Sequence, residues 1–584
     1  LEDSMGPYSV CPKVTQSLGL EVEQPPPGGT IRLDADVYVP DGKGPFPVLL
    51  MRQPYGRSIA STVVYAHPTW YASHGYIVVI QDVRGRGTSE GTFNLFRHEA
   101  QDGYASVLWA ANLPHSNGQV GMYGFSYQGM TQLYAAAEYP APLKTIIPAM
   151  AGYDLYQDTA YENGSLLLQA GLGWALQMAA ETARLKQDEL AFHELLAAAQ
   201  RLPLYAPVPA RPQVLNEFAA DSFFYGWLDH PHADSYWQAL APDLSQVDLP
   251  MLHIGGWFDP YLRGNIRLYT QMRAQSTQPQ HLWVGPWGHI PWGRRVGARD
   301  FGAAADSPID TLQLRWFNWI LKGQDSGLAQ QDPPVQLFTL GANHWQALPD
   351  WPIETPQSLY LTSTGLAGMR QNDGQLIWHT DTAPEDELPP RDGVDVLVHD
   401  PWRPVPSLGG HAGVPSGAFD RATIDCRSDV LTYTTACLPE DLRVAGSGFV
   451  QLFCRADAPS FDISVVVSEV FPDGRVMNLT QGQICVNPKP TAPSAGKTAA
   501  PDHTALDNDI HQVTIPLQPT CFMVPAGHGL RLSLAAACFP AYAVNPGTGR
   551  AAGQSRRIEQ RIITLQVLHG PTYRSRLCLP LDWG

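Results

Sequence analysis

Residues 121–130 read GMYGFSYQGM, and this stretch decides the fold that we predict for the chain. A nucleophile elbow needs a strand, a tight turn and a helix, with the serine at the turn. The residues before Ser126 are typical of a buried strand, and Tyr127–Tyr139 is rich in strong helix formers. Glycines at positions 124 and 129 leave room for close backbone approach. The stretch therefore predicts an elbow with Ser126 as nucleophile, and the alternative is a plain helix cap.

A second serine fits the familiar G-x-S-x-G pattern better, because Gln128 replaces the last glycine of that pattern after Ser126. The literal pattern occurs at Gly87–Gly91, with Ser89 at its centre. Its context does not suit an elbow, since a flexible loop precedes it at Arg84–Gly87 and turn-like residues follow it. We predict that Ser89 is structural.

The chain divides into several domains, because 584 residues are too many for a single hydrophobic core. Short apolar runs such as Pro47–Met51 and Tyr76–Ile80 suit a parallel sheet covered by helices. A helix-rich insertion follows, and strands alternate with turns from about residue 352, with a mobile loop predicted at Pro488–Pro501. We predict an α/β-hydrolase fold in residues 1–151 and 241–351, a helical lid in 152–240 and a C-terminal jelly-roll β-sandwich in 352–584.

The composition limits which binding partners and which cellular compartment we expect for the protein. The formal net charge of −17 disfavours nucleic acid and anionic membranes, which attract basic surfaces. No apolar run approaches the roughly 20 residues of a membrane span, and LEDSMGPYSV at the start lacks the basic and apolar regions of a signal peptide. Eight cysteines without a C-x-x-C pair favour reduced thiols over a zinc site. We expect a cytoplasmic protein.

The sequence DHPHAD at residues 229–234 mixes the residue types that bind metals. Its proline breaks the local helix, so a solvated lid loop explains the sequence better than a metal site does. No H-E-x-x-H and no Walker lysine motif occurs. We therefore predict neither a metal nor a cofactor.

A serine nucleophile needs a base, and the base needs an orienting acid. In α/β-hydrolases these follow in the order serine, acid, histidine, each on a loop after a strand. Asp259 comes soon after the strand candidate Met251–Ile254, and His289 comes soon after His281–Val284. Either residue alone is explained equally well as a hydrogen-bonded loop residue. Together with Ser126 they stand in the required order, which predicts a catalytic triad.

The candidate oxyanion hole lacks the glycine run that lipases use, because residues 51–57 read MRQPYGR. Tyr55 in this loop can offer its phenolic O–H beside the backbone amide of Tyr127. The alternative is a buried tyrosine held by one hydrogen bond, and spacing alone leaves both interpretations open.

Four motifs in this order resemble those of the cocaine esterase family, whose relatives include α-amino acid ester hydrolases, glutaryl acylases and Xaa-Pro dipeptidyl peptidases. They are R-x-P-Y-G at Arg52–Gly56, D-V-R-G-x-G at Asp82–Gly87, G-x-S-Y-x-G at Gly124–Gly129 and G-W-F-D at Gly256–Asp259. The resemblance implies a helical lid and a C-terminal jelly roll that closes one side of the pocket. It also implies Ser126, Asp259 and His289 as the triad, with Tyr55 and Tyr127 as the oxyanion hole.

The substrate side departs from that of amino acid ester hydrolases, which hold an ammonium group with acids, some of them just after the triad aspartate. Residues 260–262 read PYL here, and none is acidic. We expect instead an aromatic wall for an aryl or hydrophobic acyl group, although each member is explained equally well as core packing. The candidates are Tyr161, Trp174, Trp257, Phe258 and Trp287. The resemblance adds Leu408, because Pro406–Gly410 matches a segment that dips toward the pocket.

We therefore predict a serine hydrolase that cleaves a small-molecule carboxylic ester through an acyl-enzyme intermediate. Three alternatives stay open: an amidase, acylase or peptidase with the same triad, an acyltransferase, and a non-catalytic binding protein. The oligomeric state is open, with a homodimer as the candidate assembly.

Overall fold

The computed structural model describes residues 5–22, 29–328, 333–353, 356–378, 391–487, 503–505 and 509–581. The loop predicted at Pro488–Pro501 lies outside these residues. None of the helices in the described ranges is both long and apolar enough to cross a membrane.

The N-terminal part alternates strands and helices around Ser126. Its strands are β1 (Val14–Val22), β2 (Gly29–Tyr38), β3 (Phe46–Gln53), β4 (Ile77–Asp82), β5 (Ser116–Phe125) and β6 (Leu143–Ala149). Its helices are α1 (Pro68–Ser73), α2 (Glu99–Ala111) and α3 (Tyr127–Ala137), with a 3₁₀ turn at Arg57–Ile59. Strands β3 and β4 are buried along their whole length, which explains their continuous apolar sequences.

The next part, called the lid here, is mostly helical and follows β6. It contains the short strands β7 (Tyr161–Glu162) and β8 (Ser165–Leu166), with a π-helical turn at Tyr156–Ala160 before them. Its helices are α4 (Leu168–Leu185), α5 (Glu189–Gln200), α6 (Gln213–Phe218), α7 (Phe223–Asp229) and α8 (Ser235–Gln238). The buried face of α4 packs into the same hydrophobic cluster as α3, so the lid and the sheet layer share a core.

The chain then returns to the first sheet. The elements are β9 (Met251–Phe258), α9 (Leu262–Gln275), β10 (Gln280–Gly288), β11 (Arg295–Val296), β12 (Arg299–Asp300), a 3₁₀ turn (Ala303–Ala305), α10 (Ile309–Lys322), β13 (Val335–Thr339) and β14 (His344–Leu348). Helix α10 ends at Gly323, whose φ of 62° is left-handed, as expected for a glycine after a helix.

The C-terminal part, called the β-domain here, is almost entirely strands. They are β15 (Gln357–Thr362), β16 (Gln375–Trp378), β17 (Gly393–His399), β18 (Leu431–Thr434), β19 (Leu442–Gly446), β20 (Phe449–Ala456), β21 (Phe461–Val470), β22 (Val476–Val486), β23 (His503–Ala505), β24 (His511–Pro516), β25 (Thr520–Val524), β26 (Gly529–Ala535), β27 (Ile563–His569) and β28 (Arg576–Leu579). Helix α11 (Ala422–Asp425) and 3₁₀ turns at Ala552–Gln554 and Arg557–Glu559 complete the described elements.

The topology of the first sheet positions the site. Its ten strands lie in the order β1-β2-β4-β3-β5-β6-β9-β10-β13-β14, and the run from β4 to β13 is parallel. Parallel neighbours end at the same edge of a sheet, so the loops after β5, β9 and β10 meet there. These are the loops that carry Ser126, Asp259 and His289.

The β-domain packs directly against this first sheet. One hydrophobic cluster joins Leu337 and Phe338 of β13 to Val444 and Phe522 of the β-domain. The predicted α/β-hydrolase fold with a C-terminal mostly-β domain is therefore confirmed. The boundaries of the four predicted segments stay our proposal. One observation that supports them is that β6 ends at Ala149, just before the predicted end of the first segment at residue 151.

Candidate active site

Ser126 lies between the end of β5 and the first residue of α3, with φ 60° and ψ −126°. This backbone conformation is strained for any residue other than glycine and is typical of a nucleophile elbow. A Cβ added to Gly124 would lie 2.5 Å from Gln128 Cβ, and one added to Gly129 would lie 2.7 Å from Ala151 Cβ. Both positions therefore require glycine for the turn to close.

Gln128, the departure from the familiar pattern, braces the elbow. Its side-chain oxygen accepts a hydrogen bond from the backbone N–H of Phe125 at 3.2 Å. Its amide donates to Gln53 Oε1 at 3.1 Å and to the hydroxyl of Ser61. These bonds join the turn to the end of β3, so the side chain has a structural use that glycine cannot supply.

The structure brings Ser126, His289 and Asp259 together in a row. His289 Nε2 lies 3.0 Å from Ser126 Oγ, and His289 Nδ1 lies 2.8 Å from Asp259 Oδ1. With the proton on Nδ1 donated to the carboxylate, Nε2 is free to accept the proton of the serine hydroxyl. Asp259 is fully buried and the His289 side chain is 29% exposed, so the acid is shielded while the base is reachable.

Two hydrogen-bond donors flank Ser126. The Tyr55 hydroxyl is close enough to interact with Ser126 and with the indole of Trp174, and Arg86 lies within electrostatic range of it. Burial raises the pKa of Tyr55 to about 12, so the phenol stays protonated and can donate. Tyr127 is the first residue of α3, so its amide has no partner within the helix.

Among the predicted aromatic residues, the structure brings Trp174 to this site. Its ring centroid lies 6.4 Å from that of Tyr127, and its side chain interacts with Tyr55. The indole N–H is buried. Phe223 extends this aromatic surface, with a ring centroid 4.9 Å from that of Trp174.

Three other predicted aromatic residues fill cores instead. The indole N–H of Trp257 donates to Phe338 O at 2.7 Å, and Phe258 belongs to the same cluster, which the β-domain covers. The indole N–H of Trp287 donates to Ala305 O at 2.8 Å in a different core. Their described contacts lie within these cores, because they belong to buried strand ends that pack against neighbouring layers. We therefore leave them out of the proposed substrate contacts.

Tyr161 and Leu408 also lie in hydrophobic clusters. The Tyr161 hydroxyl donates to Trp227 O at 2.9 Å, and its ring stacks on Tyr156 with centroids 5.0 Å apart, within the lid. Leu408 packs on a small cluster of the β-domain that includes Val405. These are the contacts that the described structure gives for the two residues, and a role for them in substrate binding stays a prediction.

Besides Phe223, sequence reasoning missed Tyr261 and Gln518 at the site. The Tyr261 ring lies edge-on to that of His289, with centroids 5.0 Å apart, and its place two residues after Asp259 could have suggested it. Gln518 lies between β24 and β25 and donates its side-chain amide to Asp259 O at 2.8 Å. No sequence signal marks Gln518, because 259 residues separate the two partners.

The alternative site candidates have ordinary structural partners. The hydroxyl of Ser89 donates to Asp82 O at 2.8 Å and accepts from the Asp34 amide at 2.9 Å. In the lid loop, His230 Nδ1 lies 2.6 Å from Asp234 Oδ2, and its ring stacks on Tyr236. The described part of the chain holds no group of three or more potential metal ligands.

Comparisons with known proteins agree with this geometry. Residues 28–291 match the family model described as X-Pro dipeptidyl-peptidase (S15 family), and residues 326–578 match its C-terminal non-catalytic domain. The cocaine esterase of Rhodococcus sp. (strain MB1 Bresler) is 30% identical over 582 residues, which cover 94% of this chain and 96% of the relative. The chain belongs to the cocaine esterase family. As a member of that family, it is a serine hydrolase.

Solved structures of similar fold cover nearly the whole of this cocaine esterase family member. An aminopeptidase from a marine sediment Thaumarchaeota archaeon has a TM-score of 0.76 at 22% identity, covering 97% of this chain and 96% of its own. An α-amino acid ester hydrolase has a TM-score of 0.73 at 21% identity, covering 98% and 97%. At these identities the likeness supports the common fold of both parts and does not decide the substrate.

Proposed function

We propose that this serine hydrolase cleaves a carboxylic ester through an acyl-enzyme on Ser126. The observation that carries the proposal is the pair of contacts on opposite nitrogens of His289, at 3.0 Å to Ser126 and 2.8 Å to Asp259. A histidine held in this way can remove a proton from the serine without changing its orientation. The matched cocaine esterase, an enzyme named for an ester substrate, supports the ester over an amide.

The mechanism follows from the arrangement. Ser126 Oγ attacks the ester carbonyl while His289 Nε2 takes its proton, and Asp259 stabilises the resulting imidazolium. The Tyr55 hydroxyl and the Tyr127 amide donate to the oxyanion of the tetrahedral intermediate. His289 then protonates the leaving alcohol, which completes the acyl-enzyme. Water repeats the sequence and releases the acid.

An aryl or hydrophobic acyl group fits the side chains near Ser126 best. Trp174, Phe223 and Tyr261 supply aromatic surface for such a group. This wall differs from the predicted one, since Trp174 alone is common to both.

A dipeptidyl peptidase is the second candidate, because the family model over residues 28–291 is named for that activity. Such a substrate presents an ammonium group, which needs an unpaired carboxylate. Glu162, a buried acid of the lid, is instead paired with Arg263 at 2.6 Å and with His411 at 2.8 Å. Burial alone would raise the pKa of Glu162, but these two partners hold it well below its usual range. Glu162 is therefore not available to an ammonium group, and the matched cocaine esterase favours the ester.

A matched substrate panel tests the proposal. p-Nitrophenyl esters of acetate, butyrate, benzoate and phenylacetate are compared with the corresponding p-nitroanilides and with an Xaa-Pro p-nitroanilide. We expect the aryl esters to give the highest kcat/KM, and mass spectrometry of the quenched enzyme to find the acyl group on Ser126. Faster cleavage of the Xaa-Pro amide than of every ester would overturn the ester assignment.

We also propose a homodimer. Strand β17 is an edge strand of the described sheet of the β-domain, with β27 as its neighbour there. Its outward-facing Val394, Val396 and Val398 are 41%, 45% and 50% exposed, and unpaired apolar edge strands favour association. Sedimentation equilibrium should give a dimer for the wild type and a monomer for Val396→Lys. A wild-type monomer at every concentration tested would refute this assembly.

A cytoplasmic location is the remaining proposal, and the thiols support it. All eight cysteines lie within the described residues and none of them forms a disulfide, including the exposed Cys11, Cys426 and Cys437. Exposed free thiols suit a reducing compartment. Cell fractionation with antibody detection tests the location, and recovery from the periplasm or medium would contradict it.

A further inference from the structure

A separate cavity lies on the seam between the lid and the β-domain. Its volume is about 360 Å³, which falls within the range of roughly 300–1,000 Å³ for small-molecule sites. The lid lines it with Leu168 and residues between 204 and 210, and the β-domain lines it with residues 401–406 and 539–560. Neither the triad nor the oxyanion donors nor Trp174 belongs to this lining, so the cavity is distinct from the site at Ser126.

The cavity has aromatic walls that the fold leaves open to solvent. The guanidinium of Arg557 lies 4.7 Å from the ring centroid of Trp402 and 5.4 Å from that of Tyr205. Trp402 is 54% exposed and Tyr205 is 81% exposed. The backbone N–H of Arg557 donates to Pro207 O at 2.8 Å, so the stack is held where the two domains meet. Large exposed aromatic rings beside a cavity are typical of a ligand surface.

The charged side chains that line the cavity are all positive. Its two cationic side chains are Arg403 and Arg557, and neither guanidinium forms an ion pair with any residue in the described ranges. The lining contains no aspartate, glutamate or lysine, although the chain as a whole carries a net charge of −17. A guanidinium prefers a carboxylate, which it can bind through two parallel hydrogen bonds.

Apart from Gln560, the other lining residues are apolar or aromatic, including Leu168, Phe539 and several prolines. A small inorganic anion would leave these surfaces uncovered, and a neutral apolar molecule would leave both guanidiniums without a partner. One compound class uses both features of the cavity. It is a carboxylate attached to an aromatic body.

We propose that this cavity is an accessory binding site for an aromatic monocarboxylate. Arg403 and Arg557 hold the carboxylate, and the ring packs against Trp402 and the proline-rich wall. Because the ligand touches both the lid and the β-domain, its binding stabilises their association and raises the temperature of unfolding. The site does not depend on the ester chemistry at Ser126.

Binding of 2-naphthoate, measured by isothermal titration calorimetry, tests this site. The protein is first treated with a fluorophosphonate that blocks Ser126, so that the probe can bind only elsewhere. We expect one binding site with a sub-millimolar Kd, and at least tenfold weaker binding of the neutral 2-naphthamide. If the fluorophosphonate does not label the protein, the proposed function fails, and the titration is then run on untreated protein.

Arg403→Gln and Arg557→Gln should each raise the Kd for 2-naphthoate at least tenfold while leaving esterase kcat unchanged. Arg443→Gln, an exposed arginine on β19 outside the cavity, is the matched control and should bind as the wild type does. Circular dichroism checks that each variant is folded. Equal affinity for the acid and the amide, no detectable binding, or a Kd within twofold of wild type in both cavity variants would overturn the proposal.

Discussion

Two clusters of serine, histidine and aspartate lie in the described part of the chain, and they differ in which atoms touch. In the candidate triad at the first sheet, the histidine uses its two ring nitrogens for two different partners. In the β-domain, His569 uses Nε2 for both partners, at 2.9 Å to Ser363 Oγ and 3.2 Å to Asp395 Oδ2. The Ser363 hydroxyl also donates directly to Asp395 at 2.6 Å, so the histidine does not lie between the serine and the acid.

The comparison separates a catalytic arrangement from a structural one. Proton transfer from serine requires a histidine that lies between serine and acid, with one nitrogen for each. In the β-domain the carboxylate is the centre instead, and it also accepts from the Tyr433 hydroxyl at 2.7 Å and the Ala367 amide at 3.0 Å. Ser363 has an ordinary backbone and accepts from the Gly365 amide, whereas Ser126 has the strained backbone of an elbow. Residue types alone therefore do not identify a nucleophile.

The largest expected effect distinguishes the two serines. Ser126→Ala should lower kcat by at least about a thousandfold, because the three members of a triad act as a unit. Ser363→Ala should leave kcat unchanged and lower the free energy of unfolding by about 1–3 kcal/mol, through the lost hydrogen bond to a carboxylate. Steady-state kinetics and urea unfolding of both variants measure this. Comparable loss of kcat in the two variants would remove the distinction.

The oxyanion donor gives the next largest effect. Tyr55→Phe removes one hydroxyl and should lower kcat about a hundredfold with little change in KM, because the donor acts on the transition state. Since burial raises the pKa of Tyr55 to about 12, the wild-type profile of kcat against pH should show no loss from this phenol below roughly pH 11. An unchanged kcat in Tyr55→Phe would favour the alternative of a tethered core tyrosine.

A smaller effect tests whether the β-domain helps to position the triad. Gln518→Ala removes the hydrogen bond to Asp259 O and should lower kcat about fivefold, because such a bond contributes roughly 1 kcal/mol. Gln518→Glu removes the donor and also places a buried carboxylate against the Asp259 carbonyl oxygen, so it should lower kcat at least as much. Because the bond acts through the aspartate loop, KM should change less than kcat. Wild-type kcat in both variants would limit Gln518 to a packing role.

Asp395 of the β-domain cluster should affect stability and leave activity unchanged. Burial alone would raise the pKa of Asp395, but hydrogen bonds from His569, Ser363 and Tyr433 outweigh it and lower that pKa below 3.8. A group whose pKa is lowered on folding stabilises the protein above its unfolded-state pKa, and this stability is lost as pH falls through the folded value. Asp395→Asn should therefore lower the free energy of unfolding by about 2 kcal/mol at pH 7 and less at pH 3.

Thermal unfolding of wild type and Asp395→Asn at both pH values measures this difference, and kcat at pH 7 should be unchanged. A gap between the two proteins that widens on acidification would contradict the expected direction.

The elbow could be predicted from sequence because its determinants are local. The strand, the two glycines, the serine and the helix lie within about 20 residues, and each acts through backbone conformation or helix propensity. The order of Ser126, Asp259 and His289 could be predicted for a related reason. Parallel strands end at one edge, so a residue placed just after a strand has a defined location.

The aromatic wall could not be predicted in the same way. Trp257 and Trp174 carry the same side chain. The β-domain covers Trp257, whereas Trp174 lies beside Tyr55. Which side of a strand or helix becomes a pocket depends on what packs against it, and sequence periodicity does not name that partner.

The sequence by itself determined the fold class, the elbow and the order of the candidate triad, because these follow from local backbone preferences and the position of residues along strands. Only the tertiary structure decided which aromatic side chains lie near Ser126, that Gln518 holds the Asp259 loop, and that the cluster around Ser363 is not a second triad. These features are contacts between segments far apart in the chain. Such contacts are set by the packing of whole layers, which short stretches of sequence do not encode.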